Sequence, residues 1–284
     1  MPARAWWADG HELIAAIAYQ ELSSAEQARV DAILAQHPKF PTWSAGGAPT
    51  VEIFMKASTW ADEIRNYNDP TTHPNWHFID YKLKPNSYPQ KPDLNPTDNA
   101  VVGLKQLMAW LDDPHLAPDE QAKNLAFLIH FVGDIHQPLH CECLFNSTFA
   151  SYADGDRGGN RFYVYTNSNS TGKDKLHSLW DSFLGDKESL STIEGRVSTI
   201  TSAHQRSDFT TQLAKTDPKD WSIESRAFAV SEGYKVLPAL NGTSAHPVTL
   251  PANYISEGVA LSESQAALAG YRLADTLKLL LASP

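Results

Sequence analysis

Four residues of this chain recur in a spacing that suits a metal ion: His130 with Asp134, and His177 with Asp181. Each pair stands at i and i+4, so on a helix both side chains project from one face and can share a ligand. A single pair is weak evidence, because histidine and aspartate also meet on helix surfaces through solvation or ion pairing. Both pairs, however, sit inside apolar runs, A-F-L-I-H-F-V-G-D and L-H-S-L-W-D. Polar groups on an apolar face need partners, and a metal supplies them. His140 follows just beyond Pro138, where a turn can return it toward Asp134, and its neighbour His136 could serve instead. Asp62 in S-T-W-A-D-E-I-R and His77 in N-W-H-F-I-D add a carboxylate and an imidazole in aromatic settings, where an unpaired polar group is costly. Taken singly, each of these also reads as a satisfied polar residue.

The elements that must position these groups are mostly helical. Leu13, Ile14, Ile17 and Ala18 open a helical periodicity after Gly10-His11. A second helix is predicted to start at Ser24, with Gln27 completing a capping box. A third carries Ile53, Phe54, Ala57, Trp60, Ala61 and Ile64 on one face, with Asp62 beside it. Residues 70 to 96, rich in Pro, Asn and Asp, form a long loop around Trp76-His77-Phe78-Ile79. Helices resume over Thr97 to Leu111 and from Pro118 through Asp134, ending or kinking at Pro138. Residues 144 to 157 read as loop, Arg161 to Tyr165 as a short strand and Asp174 to Leu184 as helix. A last helix is expected to open at Ser262, with Gln265 as its capping partner. No repeat or interdomain linker interrupts the 284 residues, so residues 6 to 284 read as one domain.

Lysine and arginine number 23 against 33 acidic residues, a net charge of -10, so no overall positive field attracts a polyanion. Bound metal ions would reverse that balance locally. No apolar run approaches the roughly 20 residues of a membrane span. Met1 to Ala5 carry a small-x-small pattern ending at Ala5 and read as the tail of an export signal, placing the mature start at Trp6. Asn146, Asn169 and Asn241 begin N-x-S/T triplets. Cys141 and Cys143 could close only a strained disulfide, and otherwise read as surface thiols or as soft competitors for a metal.

In order along the chain stand W-x-x-x-G-H from Trp6 to His11, W-A-D-E-I-R from Trp60 to Arg65, H-F-I-D from His77 to Asp80, H-F-V-G-D-I-H-Q-P-L-H from His130 to His140, D-R-G-G-N from Asp156 to Asn160, and L-H-S-L-W-D from Leu176 to Asp181. In this array the chain resembles the zinc-dependent single-strand-specific nucleases and 3'-nucleotidases of the mung bean nuclease type, with zinc phospholipase C a more distant branch. The resemblance implies an all-α, phospholipase C/nuclease-like fold holding three zinc ions in a cleft. One ion would take Asp62, His77, His130 and the bridging Asp134; a second, His140, His177 and Asp181. The third would take His11, Asp134 and the amino nitrogen and carbonyl oxygen of Trp6, provided Trp6 is the true N-terminus.

The same resemblance implies catalytic roles for Asp62 and Arg65, and substrate contacts from Phe78, Asp80 and Asn160. Arg65 could instead pair with Asp62 or Asp69, and Phe78 and Asp80 could be a buried ring and a loop cap. Trp7 departs from the family, which usually has glycine there. The expected enzyme is a monomeric, secreted or periplasmic endonuclease of single-stranded DNA and RNA with 3'-nucleotidase activity. A phospholipase C would use the same ions, but that branch generally ends its ligand set with glutamate where this chain has Asp181. A non-catalytic zinc protein would close every coordination position with protein ligands.

Overall fold

The computed structural model describes residues 6–84, 97–166 and 172–282. Met1 to Ala5 and Asn169 lie outside the described residues. The described chain is mainly α-helical: α1 (Ala8–Gln20), α2 (Ser24–Leu34), α3 (Phe40–Trp43), α4 (Thr50–Ala57), α5 (Trp60–Ile64), α6 (Ala100–Leu111), α7 (Pro118–Ile135), α8 (Leu176–Asp181), α9 (Leu190–Ala203), α10 (Thr210–Leu213), α11 (Pro218–Phe228) and α12 (Tyr254–Leu281). Short strands add two small sheets. Parallel β1 (Lys82–Leu83) and β2 (Cys143–Leu144) form one, and β3 (Tyr163–Tyr165) lies between antiparallel β4 (Lys173–Lys175) and parallel β5 (Val248–Thr249) in the other. No helix is long and apolar enough to cross a membrane among the described residues.

The centre of the core is α7, whose residues from Leu125 to Ile135 are all buried. Against it pack α1, α2, α5, α6, α11 and α12. Such a helix has no solvent face on which to place His130 and Asp134, so both side chains are fully buried. One contiguous apolar core runs from Trp6 to Leu281.

Several element boundaries differ from the sequence expectation. The second helix is capped by Ser23 with Glu26, one residue earlier than predicted. The predicted third helix is two, α4 and α5, broken at Ser58 and Thr59. Asp174 and Lys175 belong to β4, so helix starts only at Leu176. The last helix begins at Tyr254 rather than Ser262. Ser262 caps nothing: its hydroxyl donates to Gly258 O at 2.7 Å, while Gln265 reaches the His136 carbonyl at 3.3 Å. Ser262 thus bonds back to its own helix and Gln265 answers to tertiary packing, neither of which a capping pattern contains.

Candidate metal centre

The break between α4 and α5 serves the site. It turns the carbonyl of Ser58 toward α7, where His130 Nδ1–H donates to it at 2.6 Å. His140 Nδ1 donates in the same way to His77 O, and His177 Nδ1 to Gly158 O, each at 2.6 Å. A carbonyl can only accept, so each ring carries its proton on Nδ1 and presents Nε2 as a lone pair. Metal-binding histidines are commonly fixed in this manner.

These lone pairs converge with carboxylates. His77 Nδ1 and His130 Nε2 lie 3.0 and 3.2 Å from Asp134 Oδ2, and His11 Nε2 lies 3.4 Å from Asp134 Oδ1. Yet both oxygens of Asp134, both nitrogens of His11, Asp62 Oδ1, His77 Nε2 and His140 Nε2 are buried without a hydrogen bond from the protein. Close approach without hydrogen-bond geometry is what donors aimed at a shared ion show, whereas leaving so many groups unsatisfied in a core is otherwise costly. Three sets of candidate ligand atoms, each within 4.8 Å of one another, emerge: His11, Asp62 and His130; His77, His130 and Asp134; and His140, His177 and Asp181. The donors are imidazole nitrogen and carboxylate oxygen, a set suited to zinc. Asp134 joins the sets, since its Oδ1 also stands 3.9 Å from His140 Nδ1.

The charge states of His11, His77, His140 and Asp134 suit ligation, whereas against burial Asp134 pushes the pKa of His130 up, and burial pushes that of Asp181 up. Burial lowers the pKa of His11, of His140, and of His77, which falls to about 3 with Arg65 nearby. Burial alone would raise Asp134, but His130 and the hydrogen-bonding groups of His11 and His77 outweigh it and hold the carboxyl well below its usual value. Neutral imidazoles and an ionised carboxylate are the forms that bind metal.

His136 is not part of this centre. Its Nδ1 donates to Val132 O at 2.7 Å and its Nε2 receives Arg272 Nη1 at 2.9 Å, so both nitrogens are engaged by protein. Tight supports surround the true cluster. A Cβ on Gly133 would lie 2.7 Å from His11 Nδ1, so only glycine lets α1 approach α7 here. Gly158, at φ 58°, offers its carbonyl to His177, and a Cβ there would stand 2.3 Å from Leu139 O. Trp6 is fully buried and its indole donates to Gly133 O at 3.2 Å, holding its segment beside Asp134. Trp7 N donates to Asp181 O at 3.0 Å.

Sequence reasoning missed Gln137, which donates to Asp181 Oδ1 at 2.7 Å and accepts from Leu139 N at 2.5 Å. It thus orients a carboxylate while capping the turn Pro138–Cys141. The Q-P pair in H-Q-P-L-H was the available signal. Asp156 was also missed as a support. It takes Leu144 N at 2.8 Å, Gly159 N at 3.1 Å and the Tyr234 hydroxyl at 2.8 Å, the last from a π-helical turn after α11.

A cleft of about 260 Å³ opens beside the cluster, lined by residues including Arg65, Tyr67, Phe78, Asp80, Arg157, Asn160 and His177. The Arg65 guanidinium lies 5.4 Å from the Tyr67 ring and 6.0 Å from that of Phe78. Its Nη2 donates to the Tyr67 hydroxyl at 2.9 Å and to Pro74 O at 3.3 Å, and its Nη1 is 3.8 Å from Asp62 Oδ1. Asp69 instead caps Thr71. Phe78 is held by its own backbone, since Ala100 N donates to Phe78 O and Ile79 N to His140 O. Burial, with Asp156 beside it, pushes the Asp80 carboxyl up to about 7, so near neutrality it can donate or accept.

Cys141 and Cys143 are buried free thiols rather than surface ones, and they donate to Ile135 O and Asp154 O. Burial raises both pKa values well above normal, which suppresses the thiolate needed for ligation or disulfide exchange. An aromatic disulfide reagent is therefore expected to titrate no thiol in the native protein and two after denaturation. Rapid reaction of either cysteine in the native state would contradict this burial.

With this geometry in view, comparison with known proteins gives consistent matches. The family model described as S1/P1 Nuclease matches residues 6–282. Nuclease P1 of Penicillium citrinum is 25% identical over 95% of this chain and 96% of its own length. Nuclease S1 of Aspergillus oryzae is 25% identical over 98% and 93%, and Endonuclease 4 of Arabidopsis thaliana 27% over 99% and 91%.

Proposed function

The chain belongs to the S1/P1 nuclease family and is a phosphodiester hydrolase, and on that premise we propose that it is a zinc-dependent endonuclease of single-stranded DNA and RNA. The observation that carries this reading is the buried set of unsatisfied imidazole and carboxylate atoms beside a cleft bearing Arg65 and Phe78. Three ions would be held by these donor groups: one by Asp62, His77, His130 and Asp134, one by His140, His177 and Asp181, and one by His11, Asp134 and the main chain of Trp6. The last set requires that the residues before Trp6 be removed, because a terminal α-ammonium readily loses its proton to leave a nitrogen lone pair that can bind zinc, whereas a peptide nitrogen's lone pair is delocalised. Such removal accompanies export, and we place the enzyme in the secreted or periplasmic space, acting as a monomer.

Bound zinc would supply Lewis acidity, activating water and offsetting charge on phosphate oxygens. The protein's own groups do the rest. Asp62 accepts a hydrogen bond from the attacking water and orients it toward phosphorus. Arg65, held by Tyr67 and Pro74, neutralises charge gathering on the pentacoordinate phosphate. Phe78 stacks on a base, while Asp80 and Asn160 meet base edges. Stacking accepts any base but needs an unpaired face, which supplies the single-strand preference. A nucleotide bearing a 3'-phosphate meets the same groups, so 3'-nucleotidase activity accompanies the reaction.

The test is cleavage of single-stranded against double-stranded DNA by zinc-loaded protein beginning at Trp6, with a chelator control. Single strands should be cut at least about tenfold faster, the factor that ~1.4 kcal/mol of stacking on one base provides. Equal rates on duplex, or cutting that persists in chelator, would remove this reading.

A further inference from the structure

The loop D-R-G-G-N contributes Asn160 to the cleft, but its arginine has no part in the mechanism above. Arg157 adopts φ 56°, a left-handed conformation uncommon for any residue with a Cβ, between Gly155 at 56° and Gly158 and Gly159 at 58° and 83°. The loop is held there by the three hydrogen bonds that buried Asp156 accepts from Leu144 N, Gly159 N and Tyr234. Asn160 adds two more, from its backbone N and its Nδ2 to Arg157 O at 3.1 and 2.9 Å. A conformation so firmly imposed fixes where the Arg157 side chain leaves the backbone.

That side chain is half-exposed and lines the cleft, where Arg65 and Arg157 are the only Lys or Arg among the described lining residues. Arg65 is buried against Asp62 and Tyr67. The acid nearest Arg157 is Asp154, at 3.5 Å from Nε, but Asp154 is already bound by both terminal nitrogens of Arg161, at 2.7 and 3.2 Å. Arg161 is further covered by the Tyr152 ring, 4.2 Å from its Cζ. Asp154 is thus shared between two guanidinium groups, and although Asp80 also lies within electrostatic reach of Arg157, the exposed Arg157 is held less tightly than Arg161. In a protein of net charge -10, that places an exposed cation at the opening through which a polyanion must enter.

We propose that Arg157 is a substrate-binding residue that contacts a second phosphate of the single strand, apart from the one being cleaved, and so favours polynucleotides over 3'-mononucleotides. This rests on the nuclease reading. The contact is charge-assisted and can be bidentate.

The experiment compares wild type, Arg157→Gln, Arg157→Gly and Arg157→Lys on a single-stranded oligonucleotide and on a 3'-mononucleotide, across a series of salt concentrations. Wild-type cleavage is scored first, so failure of the nuclease reading is seen before any variant is compared. Arg157→Gly relieves the positive φ, so a loss it shares with Arg157→Gln is a loss of charge rather than of folding. Both should raise the oligonucleotide KM about threefold to tenfold with kcat changed less, and the mononucleotide KM by under about twofold. The slope of log KM against log salt should shrink by about 0.7, the value of one phosphate contact on a single strand. Arg157→Lys should keep most of the slope. Unchanged KM and slope in Gln and Gly would overturn the proposal, leaving Arg157 as a partner of Asp154 only. Equal losses on both substrates would overturn it too, by placing Arg157 at the scissile phosphate.

Discussion

Asp134→Asn is expected to remove most of the bound zinc and to reduce cleavage by at least about a hundredfold, the upper end of what disturbing even an outer partner of a metal ligand costs. Asp134 lies within 3.4 Å of nitrogens on His11, His77 and His130, and neither of its oxygens is occupied by a hydrogen bond. Asparagine keeps the shape but replaces one oxygen by a donor and discards the charge, so two cations could no longer be bridged. Zinc content per chain and the rate on a single-stranded oligonucleotide, measured on the same preparation, decide the matter. An Asn variant that keeps full zinc and full rate would show that the shared carboxylate is not the bridge.

Stripping the metal should lower the thermal unfolding midpoint by on the order of 10 °C, recovered when zinc is returned. An ion present at 1,000 times its Kd stabilises by ~4 kcal/mol, and a chain of this size shifts by roughly 2–4 °C per kcal/mol. The buried carboxylates and imidazoles are the source of that effect, since without a cation they are left to desolvation unrelieved. Calorimetry with and without chelator measures this directly. A midpoint indifferent to chelator, with zinc removal verified, would mean that the cluster contributes nothing to folding.

How much of this was legible beforehand depends on distance along the chain. His130 with Asp134, and His177 with Asp181, announce themselves by helical spacing inside apolar runs, and the structure buries all four. Spacing left His136 and His140 both open and only the resemblance favoured His140, because the choice turns on Arg272, far along the sequence and bonded to His136 Nε2. The pause at Ser58 was hidden because the apolar stripe from Ile53 to Ile64 is continuous, while the break leaves the Ser58 carbonyl to accept the 2.6 Å bond from His130. Capping at Ser23 was misjudged by one residue because two serines adjoin and both registers place Glu or Gln three positions on. The roles of Gln137 and Asp156 depend on Asp181 and Tyr234 across the fold, so local pattern could not assign them.

The gathering of ligands from α1 through α8 also sets a timetable. His11 lies in α1, whereas His177 and Asp181 come from α8, far along the chain. A growing chain therefore holds an incomplete cluster, however tightly its first helices pack. The cluster is complete only once that short helix has folded, so a chain cut before α8 would lack two of the candidate ligands.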